Sequence, residues 1–425
     1  MDKFLINGPT RLKGKILGSG SKNAALPIIF STLLSGKKHI LKNVPNLQDM
    51  YSALLMMKHF GALLDCNEKA EGGQEWKLDC APVNQSEAPY ELVRKMRASF
   101  FCLGPLLARM GRARVSLPGG CAIGARPVDL HLMALEKLGA EIKQESGYVE
   151  LVAPPKGLQG GKVVFPLVSV GATENVMMAA TTAMGTSIIE NAACEPEVQY
   201  LANALLSMGA KITGVGTPTI KIEGVSELGA LDYEIPADRI EVGTYLIAAQ
   251  LTGGDIEVVN SPVGDLGALI EALEKSGAKI TINGNSIRCE ASETIKPVSI
   301  KTAPYPGFAT DLQAQWMTLM TQAEGVSTIE EKIFENRFMH VPELTRMGAK
   351  IEIQSRVATV HGKRGTLNAA PVMATDLRAS ASLVLAGLVT PGETTINRVY
   401  HLDRGYEAME LKLQSLGANV KRVKS

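Results

Sequence analysis

The stretch at residues 117–132, LPGGCAIGARPVDLHL, holds the residue types best suited to nucleophilic chemistry. It contains Cys121 among closely spaced glycines and prolines, with Arg126 five residues further along the chain. Because proline lacks a backbone N–H and glycine is conformationally free, the stretch predicts a loop rather than a helix or a central strand. A neighbouring guanidinium favours the thiolate, which is the reactive form of cysteine. We therefore predict a reactive Cys121 on a loop, with a buried structural thiol as the alternative.

Six helix-like segments carry apolar residues on more than one side, which is typical of helices in a protein interior. They cover residues 23–34, 98–108, 172–183, 240–251, 312–322 and 377–388. Polar residues gather at their starts: Lys22, Asn23, Arg97, Ser169, Gly171, Asp238, Arg239, Thr310, Asp311, Thr375, Asp376 and Arg378.

Two explanations fit these polar starts. N-capping accounts for the Thr-Asp pairs at 310–311 and 375–376. It does not account for cations such as Lys22 and Arg378, which are unfavourable at the positive end of a helix dipole unless an anion shares the site. If the six helix starts converge, they form a pocket for phosphate groups.

A repeat organises the whole chain. A helix-like segment that ends in Gly-Ala recurs six times, with its glycine at positions 61, 139, 209, 277, 348 and 417. Each glycine lies where a helix would end, and a strand would begin just beyond it. Units of about 70 residues therefore predict an α/β module that buries its faces by stacking on copies of itself. Since the strongly apolar helices lie inside, the sheets are expected outside.

Composition excludes several classes of protein. The chain has 425 residues, 45% of them hydrophobic, which is enough for two or three globular domains. A net charge of +1 gives no overall field for nucleic acid or an anionic membrane. The N-terminus lacks the apolar core of a signal peptide, and apolar runs such as residues 383–389 are too short to span a bilayer. We expect a cytoplasmic protein that is a monomer or a weak homo-oligomer.

The distribution of ligand-type residues predicts no cofactor. The six cysteines include no Cys-x-x-Cys pair, so neither a zinc site nor a disulfide framework is indicated. The carboxylates are not grouped at the spacing of metal ligands. We therefore expect neither a metal nor an organic cofactor.

Nine motifs together resemble the enolpyruvyl transferase family, in particular its members that act on a UDP-sugar. They are GSGSKNAALP at 18, MRAS at 96, LPGGCAIGARPVDLH at 117, SVGATEN at 169, DRIEVGT at 238, ATDLQAQ at 309, FENRFMHVPEL at 334, MATDLRASASLVLAG at 373 and HLDRGYE at 401. The resemblance implies an α/β fold of two inside-out barrels with three repeats each, helices inside and sheets outside. It also implies one domain at 21–235, a discontinuous one at 1–20 and 236–425, and an active site in the cleft between them.

The same resemblance implies a reaction. The enolpyruvyl group of phosphoenolpyruvate would move to the 3-hydroxyl of UDP-N-acetylglucosamine by addition and elimination of phosphate, the first committed step of peptidoglycan synthesis. Asp311 would take the hydroxyl proton, and Cys121 would protonate C3 and could add covalently to the enolpyruvyl group. Phosphoenolpyruvate would be held by Lys22, Arg126 and Arg404. Asp376 and Arg378 would assist proton handling and charge balance.

The UDP-sugar residues also follow from the resemblance. The uracil and ribose would contact the backbone of Arg126, Pro127, Val128, Asp129 and Leu130. Ser169, Val170 and Gly171 would donate to the diphosphate, Asn23 and Arg97 would contact the sugar, and Ile333 would lie near it. One departure is Leu167-Val168, where some members of the family carry a lysine. Alkylation of Cys121 by a phosphonate epoxide such as fosfomycin is also expected.

Other interpretations stay open at the level of sequence. Arg337 is expected to be a structural ion-pair partner, and His131 and His401 are expected to hold loops by hydrogen bonds. The other five cysteines are expected to be bystanders. For the whole chain, the alternatives are the sister activity on shikimate 3-phosphate and a catalytically silent paralogue that binds UDP-sugars and regulates. The cysteine loop disfavours the former, because the sister chemistry does not rely on a loop cysteine.

Overall fold

A computed structural model describes residues 2–68, 73–94, 96–117 and 128–424. The candidate residues Cys121, Arg126 and Pro127 lie outside this described part, and only the backbone of Arg97 is described. The described chain forms two compact units. One contains the described residues of 1–19 and 237–425, and the other contains those of 20–120 and 126–236.

Most helices of the described chain alternate between largely buried apolar segments and partly exposed ones. In chain order they are α1 (Lys22–Ser31), α2 (Gln48–His59), α3 (Tyr90–Val93), α4 (Leu103–Met110), α5 (Asp129–Lys137), α6 (Val170–Ala180), α7 (Pro196–Ser207), α8 (Arg239–Leu251), α9 (Gly267–Lys275), α10 (Gln313–Thr321), α11 (Val341–Arg346), α12 (Leu377–Val389) and α13 (Met409–Ser415). Short 3-10 helices occur at Thr32–Leu34, Arg97–Cys102, Val263–Asp265, Thr310–Leu312 and Val399–Arg404.

The strands are short. In chain order they are β1 (Lys3–Gly8), β2 (Lys13–Leu17), β3 (Lys38–Val44), β4 (Leu63–Glu68), β5 (Gln74–Asp79), β6 (Glu87–Ala88), β7 (Arg112–Ser116), β8 (Glu141–Glu145), β9 (Tyr148–Val152), β10 (Lys162–Val164), β11 (Thr186–Glu190), β12 (Lys211–Thr213), β13 (Thr219–Glu223), β14 (Asp232–Glu234), β15 (Asp255–Val259), β16 (Lys279–Asn283), β17 (Ser286–Glu290), β18 (Ile300–Lys301), β19 (Gly325–Glu330), β20 (Lys350–Gln354), β21 (Val357–Gly362), β22 (Pro371–Met373), β23 (Gly392–Asn397) and β24 (Asn419–Val423).

The strands form six sheets of four strands with the same pairing pattern, three in each unit. In the sheet β10-β11-β13-β12, β10 is parallel to β11, and the other two pairings are antiparallel. Residues alternate between buried and exposed along β13, where Ile220 and Ile222 face the core. This alternation is typical of an antiparallel strand with one face on the core and the other in solvent.

The N-terminal strands complete sheets whose other strands come much later in the chain. β1 lies between β23 and β24 and is antiparallel to both, and β2 is parallel to β15. β14 pairs in parallel with β3 and so completes the first sheet of the other unit. Strands that are distant in the sequence thus complete these sheets.

The six repeat glycines end helices, as predicted. Each has a positive φ, between 92° and 105°, and each donates its N–H to the carbonyl three residues earlier. A side chain at such a φ would be strained, so glycine is the residue that lets the helix stop and the hairpin begin.

The apolar helices form the centre of each unit. In one unit α8, α10 and α12 contact one another, and residues 240–251 of α8 are all buried. In the other, α6 contacts both α1 and α4. The fold class is therefore confirmed as α/β with two inside-out barrels, helices inside and sheets outside. Each unit has its own apolar core, one around Trp76 and Phe30 and the other around Trp316 and Phe4.

Helix starts depart from the predicted ones at two places. The second inner segment begins as a 3-10 helix at Arg97–Cys102 before α4, and the fifth begins as one at Thr310–Leu312 before α10. Pro105 explains the first, because it has no N–H to donate to the Phe101 carbonyl in an α-helical turn. No helix in the described ranges is both long and apolar enough to cross a membrane.

Candidate active site

Asp311 is held between two arginines. Its Oδ1 lies 2.7 Å from Nη2 of Arg337, and its Oδ2 lies 2.8 Å from Nη2 of Arg378. Both arginine side chains are about 95% buried, whereas Asp311 is 26% exposed. The carboxylate is therefore fixed from behind and open on one side, and the two positive charges favour its ionised form.

The starts of three inner helices bring these groups together. Asp238 caps α8 by accepting hydrogen bonds from the N–H groups of Ile240 and Glu241. Asp311 precedes α10, and Arg378 lies in the first turn of α12. Burial by itself lowers the pKa of Arg378, but the charges of Asp311 and Asp238, among others, raise it more, so the net shift is upward. The charge of Arg378 would be unfavourable at a helix start by itself, but it is paired with the carboxylate of Asp311 in the same unit.

Asp376 is a helix cap. Its Oδ1 accepts hydrogen bonds from the N–H groups of Arg378 and Ala379, at 2.8 and 3.0 Å. The capping explanation is thus confirmed for Asp376. It is wrong for Thr310 and Asp311, because the residues at the N-cap positions there are Ala309 and Leu312 and neither side chain caps.

A buried carboxylate, Glu331, organises the segment around Asp311. It is 1% exposed and accepts hydrogen bonds from the hydroxyls of Thr302 and Thr310 and from the N–H groups of Ile333 and Phe334. Through Thr310 it fixes the residue before Asp311. By accepting from the N–H of Ile333, it also fixes the residue expected near the sugar. Glu331 therefore anchors the segments of both Asp311 and Ile333.

Arg404 lies at the end of the 3-10 helix Val399–Arg404 and is half-buried. The preceding residue, Asp403, makes two bonds to Arg422 of β24, at 2.6 and 3.0 Å. A Cβ at Gly405 would come within 2.5 Å of Leu377, so only glycine allows this close approach of the segment to α12. Half-burial and the charge of Arg404 lower the pKa of His401, which favours its neutral form.

Lys22 starts α1 in the other unit. Its Nζ lies 3.4 Å from Oδ2 of Asp49 on α2, and only 13% of the lysine side chain is exposed. Ser21 caps the helix by accepting a hydrogen bond from the N–H of Ala24. Asn23, one residue further, is partly buried. The lysine is thus oriented by a buried carboxylate, with its neighbours at the helix start.

The start of α6 presents backbone N–H groups in the same unit. Ser169 caps it through a hydrogen bond from Ala172, so Val170 and Gly171 form the first turn. A Cβ at Gly171 would lie 3.2 Å from the ring of His131, which leaves little room for any side chain. Leu167 just ahead of it is 70% exposed.

His131 is oriented by Asn175. The amide Oδ1 of Asn175 accepts the N–H of Gly104 at 2.7 Å, so its Nδ2 is the atom that faces Nδ1 of His131 at 3.1 Å. His131 therefore holds the start of α5 by a hydrogen bond, as predicted. Val128, Asp129 and Leu130 form that start, with Asp129 exposed.

The structure thus groups the candidates within each unit. Asp311, Asp376 and Arg378 lie together, with Arg337 as the predicted ion-pair partner. Ser169, Val170 and Gly171 form one helix start, and Cys121, Arg126 and Pro127 are not described. Three residues with clear structural roles were not predicted from the sequence: Asp49, Glu331 and Tyr406. Tyr406 lies in the motif HLDRGYE, which could have pointed to it. Nothing in the neighbouring sequence distinguishes Asp49 or Glu331 from carboxylates on the surface.

Each unit presents groups with a chemical use. In one unit, the partly exposed carboxylate of Asp311 can accept a proton and Arg404 can bind an anion. In the other unit, Lys22 and the N–H groups at the start of α6 can bind phosphate. Among the described residues, no group of three or more metal-ligating side chains is placed to hold an ion.

Comparison with known proteins gives consistent matches over the whole chain. The profile of the family described as EPSP synthase (3-phosphoshikimate 1-carboxyvinyltransferase) matches residues 6–413. A protein of Desulfosudis oleivorans named UDP-N-acetylglucosamine 1-carboxyvinyltransferase is 54% identical, and the match covers 100% of both chains. One of the same name from Trichlorobacter lovleyi is 53% identical, over 100% of this chain and 99% of that protein.

Solved structures with a similar fold are more distant in sequence. The enolpyruvyl transferase NikO from Streptomyces tendae superimposes with a TM-score of 0.87 at 23% identity, over 100% of this chain and 99% of that chain. An EPSP synthase from Acinetobacter baumannii gives a TM-score of 0.76 at 18% identity, over 100% of both chains. At such identities the likeness concerns the fold alone.

Proposed function

Since the chain belongs to the family of EPSP synthases and related enolpyruvyl transferases, we propose that it transfers the enolpyruvyl group of phosphoenolpyruvate to the 3-hydroxyl of UDP-N-acetylglucosamine. The observation that carries the proposal is the match of 54% identity over the full chain to a protein named for that activity. The product would enter peptidoglycan synthesis. Action in the cytoplasm, as a monomer or a weak homo-oligomer, stays a prediction.

The acceptor hydroxyl needs a base, and Asp311 has the required features. Its carboxylate is ionised, partly exposed and held in one orientation by Arg337 and Arg378. As the hydroxyl oxygen bonds to C2 of phosphoenolpyruvate, Asp311 takes the hydroxyl proton. A base fixed in this way needs no reorientation when the substrate arrives, which lowers the barrier to proton transfer.

The donor side needs an acid and several cations. C3 of phosphoenolpyruvate gains a proton, and we assign that step to Cys121. Lys22, Arg126 and Arg404 bind the phosphate and carboxylate of the donor, where charge-assisted hydrogen bonds are strongest. When C3 then returns a proton to the Cys121 thiolate and the C2–O bond to phosphate breaks, the C–H electron pair re-forms the double bond and phosphate is released. Asp376 and Arg378 balance charge around the intermediate.

The nucleotide sugar needs donors for its diphosphate. The proposal assigns these to the N–H groups of Ser169, Val170 and Gly171, which face outward at the start of α6. The segment Arg126, Pro127, Val128, Asp129 and Leu130 takes the uracil and ribose. Asn23 and Arg97 take the sugar, and Ile333 lies beside it.

Phosphate release from purified protein tests the proposal directly. We expect release from phosphoenolpyruvate that depends on UDP-N-acetylglucosamine, and an Asp311→Asn variant with a kcat reduced by about 10²-fold or more. Release with shikimate 3-phosphate instead would support the sister activity, for which the family description is the one favourable observation. No release with either acceptor, by protein that binds UDP-N-acetylglucosamine, would support a regulatory paralogue.

A further inference from the structure

The hydroxyl of Tyr406 joins a buried polar network behind Asp311. Tyr406 is 2% exposed, and its oxygen lies 2.9 Å from Oγ1 of Thr244 on α8 and 3.0 Å from Nε2 of Gln315 on α10. The guanidinium carbon of Arg378 on α12 lies 5.5 Å from the centre of the Tyr406 ring. One side chain therefore contacts all three inner helices of this unit.

The direction of the hydrogen bonds follows from their partners. Thr244 donates its single hydroxyl proton to the Ile240 carbonyl at 2.8 Å, so it accepts from Tyr406. The Tyr406 oxygen is left to accept from Gln315, whose Nε2 also lies 3.1 Å from Oγ1 of Thr244. Gln315 also donates to the backbone carbonyl of Asp311 at 3.0 Å. The hydrogen-bond network thus returns to the backbone of Asp311, while Arg378, which lies over the Tyr406 ring, bonds to the Asp311 carboxylate.

The Arg378 side chain has few other restraints. Its Nη2 bonds to Asp311, while its Nη1 is buried and has no hydrogen-bond partner among the described atoms. The Tyr406 ring, 5.5 Å from the guanidinium carbon, and the 2.8 Å bond to Asp311 are therefore the contacts that hold this end of Arg378.

We infer that Tyr406 is a positioning residue for the transfer reaction, because its hydroxyl orients Gln315, which bonds to the backbone carbonyl of Asp311, and its ring packs against Arg378, which holds the Asp311 carboxylate. The inference rests on the proposed role of Asp311 as the base. It predicts a specific kinetic effect: loss of the hydroxyl impairs proton transfer, whereas the ring still packs and supports the backbone that carries Arg404. Substrate binding should then change little.

Tyr406→Phe tests this, with Tyr245→Phe as the matched control. Tyr245 is also buried, lies next to Thr244 on α8, and its hydroxyl has no hydrogen-bond partner among the described atoms. We expect Tyr406→Phe to lower kcat by about tenfold, since small misplacements of a catalytic group have effects up to about 10²-fold. KM for both substrates should stay within about twofold, which marks an interaction that matters in the transition state. Tyr245→Phe should leave both constants unchanged.

A second pair of variants covers the case in which Tyr406→Phe does not fold. Thr244→Val removes the acceptor of the Tyr406 hydroxyl at nearly constant volume, and Thr244→Ser restores it. We expect kcat to fall in the valine variant and to stay near the wild-type value in the serine variant.

The outcomes separate the two proposals. A wild-type protein that releases no phosphate contradicts the proposed function. An active wild type whose Tyr406→Phe variant matches Tyr245→Phe in kcat contradicts the positioning role of Tyr406. A lowered melting temperature with unchanged kcat would also contradict it, because the hydroxyl would then serve stability alone. Equal kcat for the valine and serine variants overturns it as well.

Discussion

Two guanidinium groups that hold one carboxylate make Asp311 the most constrained charged residue of the described site. Arg337 and Arg378 each take one of its oxygens, and both are almost fully buried. Pairing offsets part of the cost of burying these charges, so neither arginine can lose its partner without leaving an unpaired charge in the core. The site is thus assembled from residues that are also needed for the fold.

The described cysteines share one property, a thiol pKa above its usual value. Burial raises the pKa of each of the five described cysteines, Cys66, Cys80, Cys102, Cys194 and Cys289. A raised pKa keeps a thiol protonated up to higher pH, so at neutral pH these five are poor nucleophiles. The prediction that they are bystanders is consistent with this chemistry.

We predict that fosfomycin alkylates Cys121 alone. Its phosphonate would be attracted by Lys22, Arg126 and Arg404, and its epoxide would react with the cysteine five residues before Arg126 in the sequence, whereas the pKa of each described cysteine is raised. Intact-mass analysis at neutral pH should detect one adduct per chain in the wild type. Cys121→Ser should give none, and Cys121→Asp should keep turnover without alkylation because a carboxylic acid can also deliver a proton. An adduct on any other cysteine, or on the Cys121→Asp protein, would contradict the assignment.

Single residues were predictable from sequence to the extent that their partners are local. Cys121 and Arg126 lie in one motif. Asp376 accepts a hydrogen bond from the N–H of Arg378, only two residues further along the chain. The pairing of Asp311 with Arg378 spans 67 positions, and that of Lys22 with Asp49 spans 27. No spacing rule connects such distant positions, so only the fold could reveal which carboxylate faces which cation.

At the scale of elements, the start of α12 has two functions. Asp376 caps the helix, and Arg378 in its first turn holds Asp311. The inner helices themselves were predictable because apolar residues on more than one side are a property of contiguous sequence. The 3-10 starts before α4 and α10 were not predicted. The first depends on Pro105, which lacks an N–H, and Thr310 in the second bonds to the distant carboxylate of Glu331.

Variants of Asp376 separate its capping role from its proposed role in proton handling. Asparagine is as good an N-cap as aspartate, whereas alanine is not. We expect Asp376→Ala to destabilise the protein by about 1 kcal/mol, or about 2–4 °C in Tm. Asp376→Asn should keep the Tm but lose the charge. If it also keeps the wild-type kcat, Asp376 is a cap only, and its proposed catalytic role is wrong.

At the scale of the whole molecule, the six-fold repeat is the feature that sequence predicted best. Repeated glycines and apolar helices indicated six modules, and the fold contains six sheets of one pattern. Repetition alone could not show which strand completes each sheet. β1 pairs with β23 and β24, 384 to 420 positions away, and only the resemblance to a known family suggested that the N-terminus belongs with the second half of the chain.

Because each unit has its own core, a defect in β1 should affect one unit only. Phe4 and Ile6 of β1 are fully buried, and Ile6 packs against α12 at Gly387, whereas Leu5 between them is only partly buried. The two tryptophans of the chain are convenient probes, since Trp316 lies in the same core as Ile6 and Trp76 lies in the other. Trp76→Phe and Trp316→Phe backgrounds would each leave one reporter.

We predict that Ile6→Ala destabilises the unit of Trp316 by about 2–5 kcal/mol, because it removes a buried side chain and leaves a cavity beside α12. In urea, followed by fluorescence, the Trp316 transition should move down by about 1 M, and the Trp76 transition should stay in place. Leu5→Ala, the matched control, should move neither by more than a few tenths of 1 M. Equal shifts of both transitions after Ile6→Ala would mean that the two cores unfold as one cooperative body, and the assignment of β1 to a separately stable unit would then be wrong.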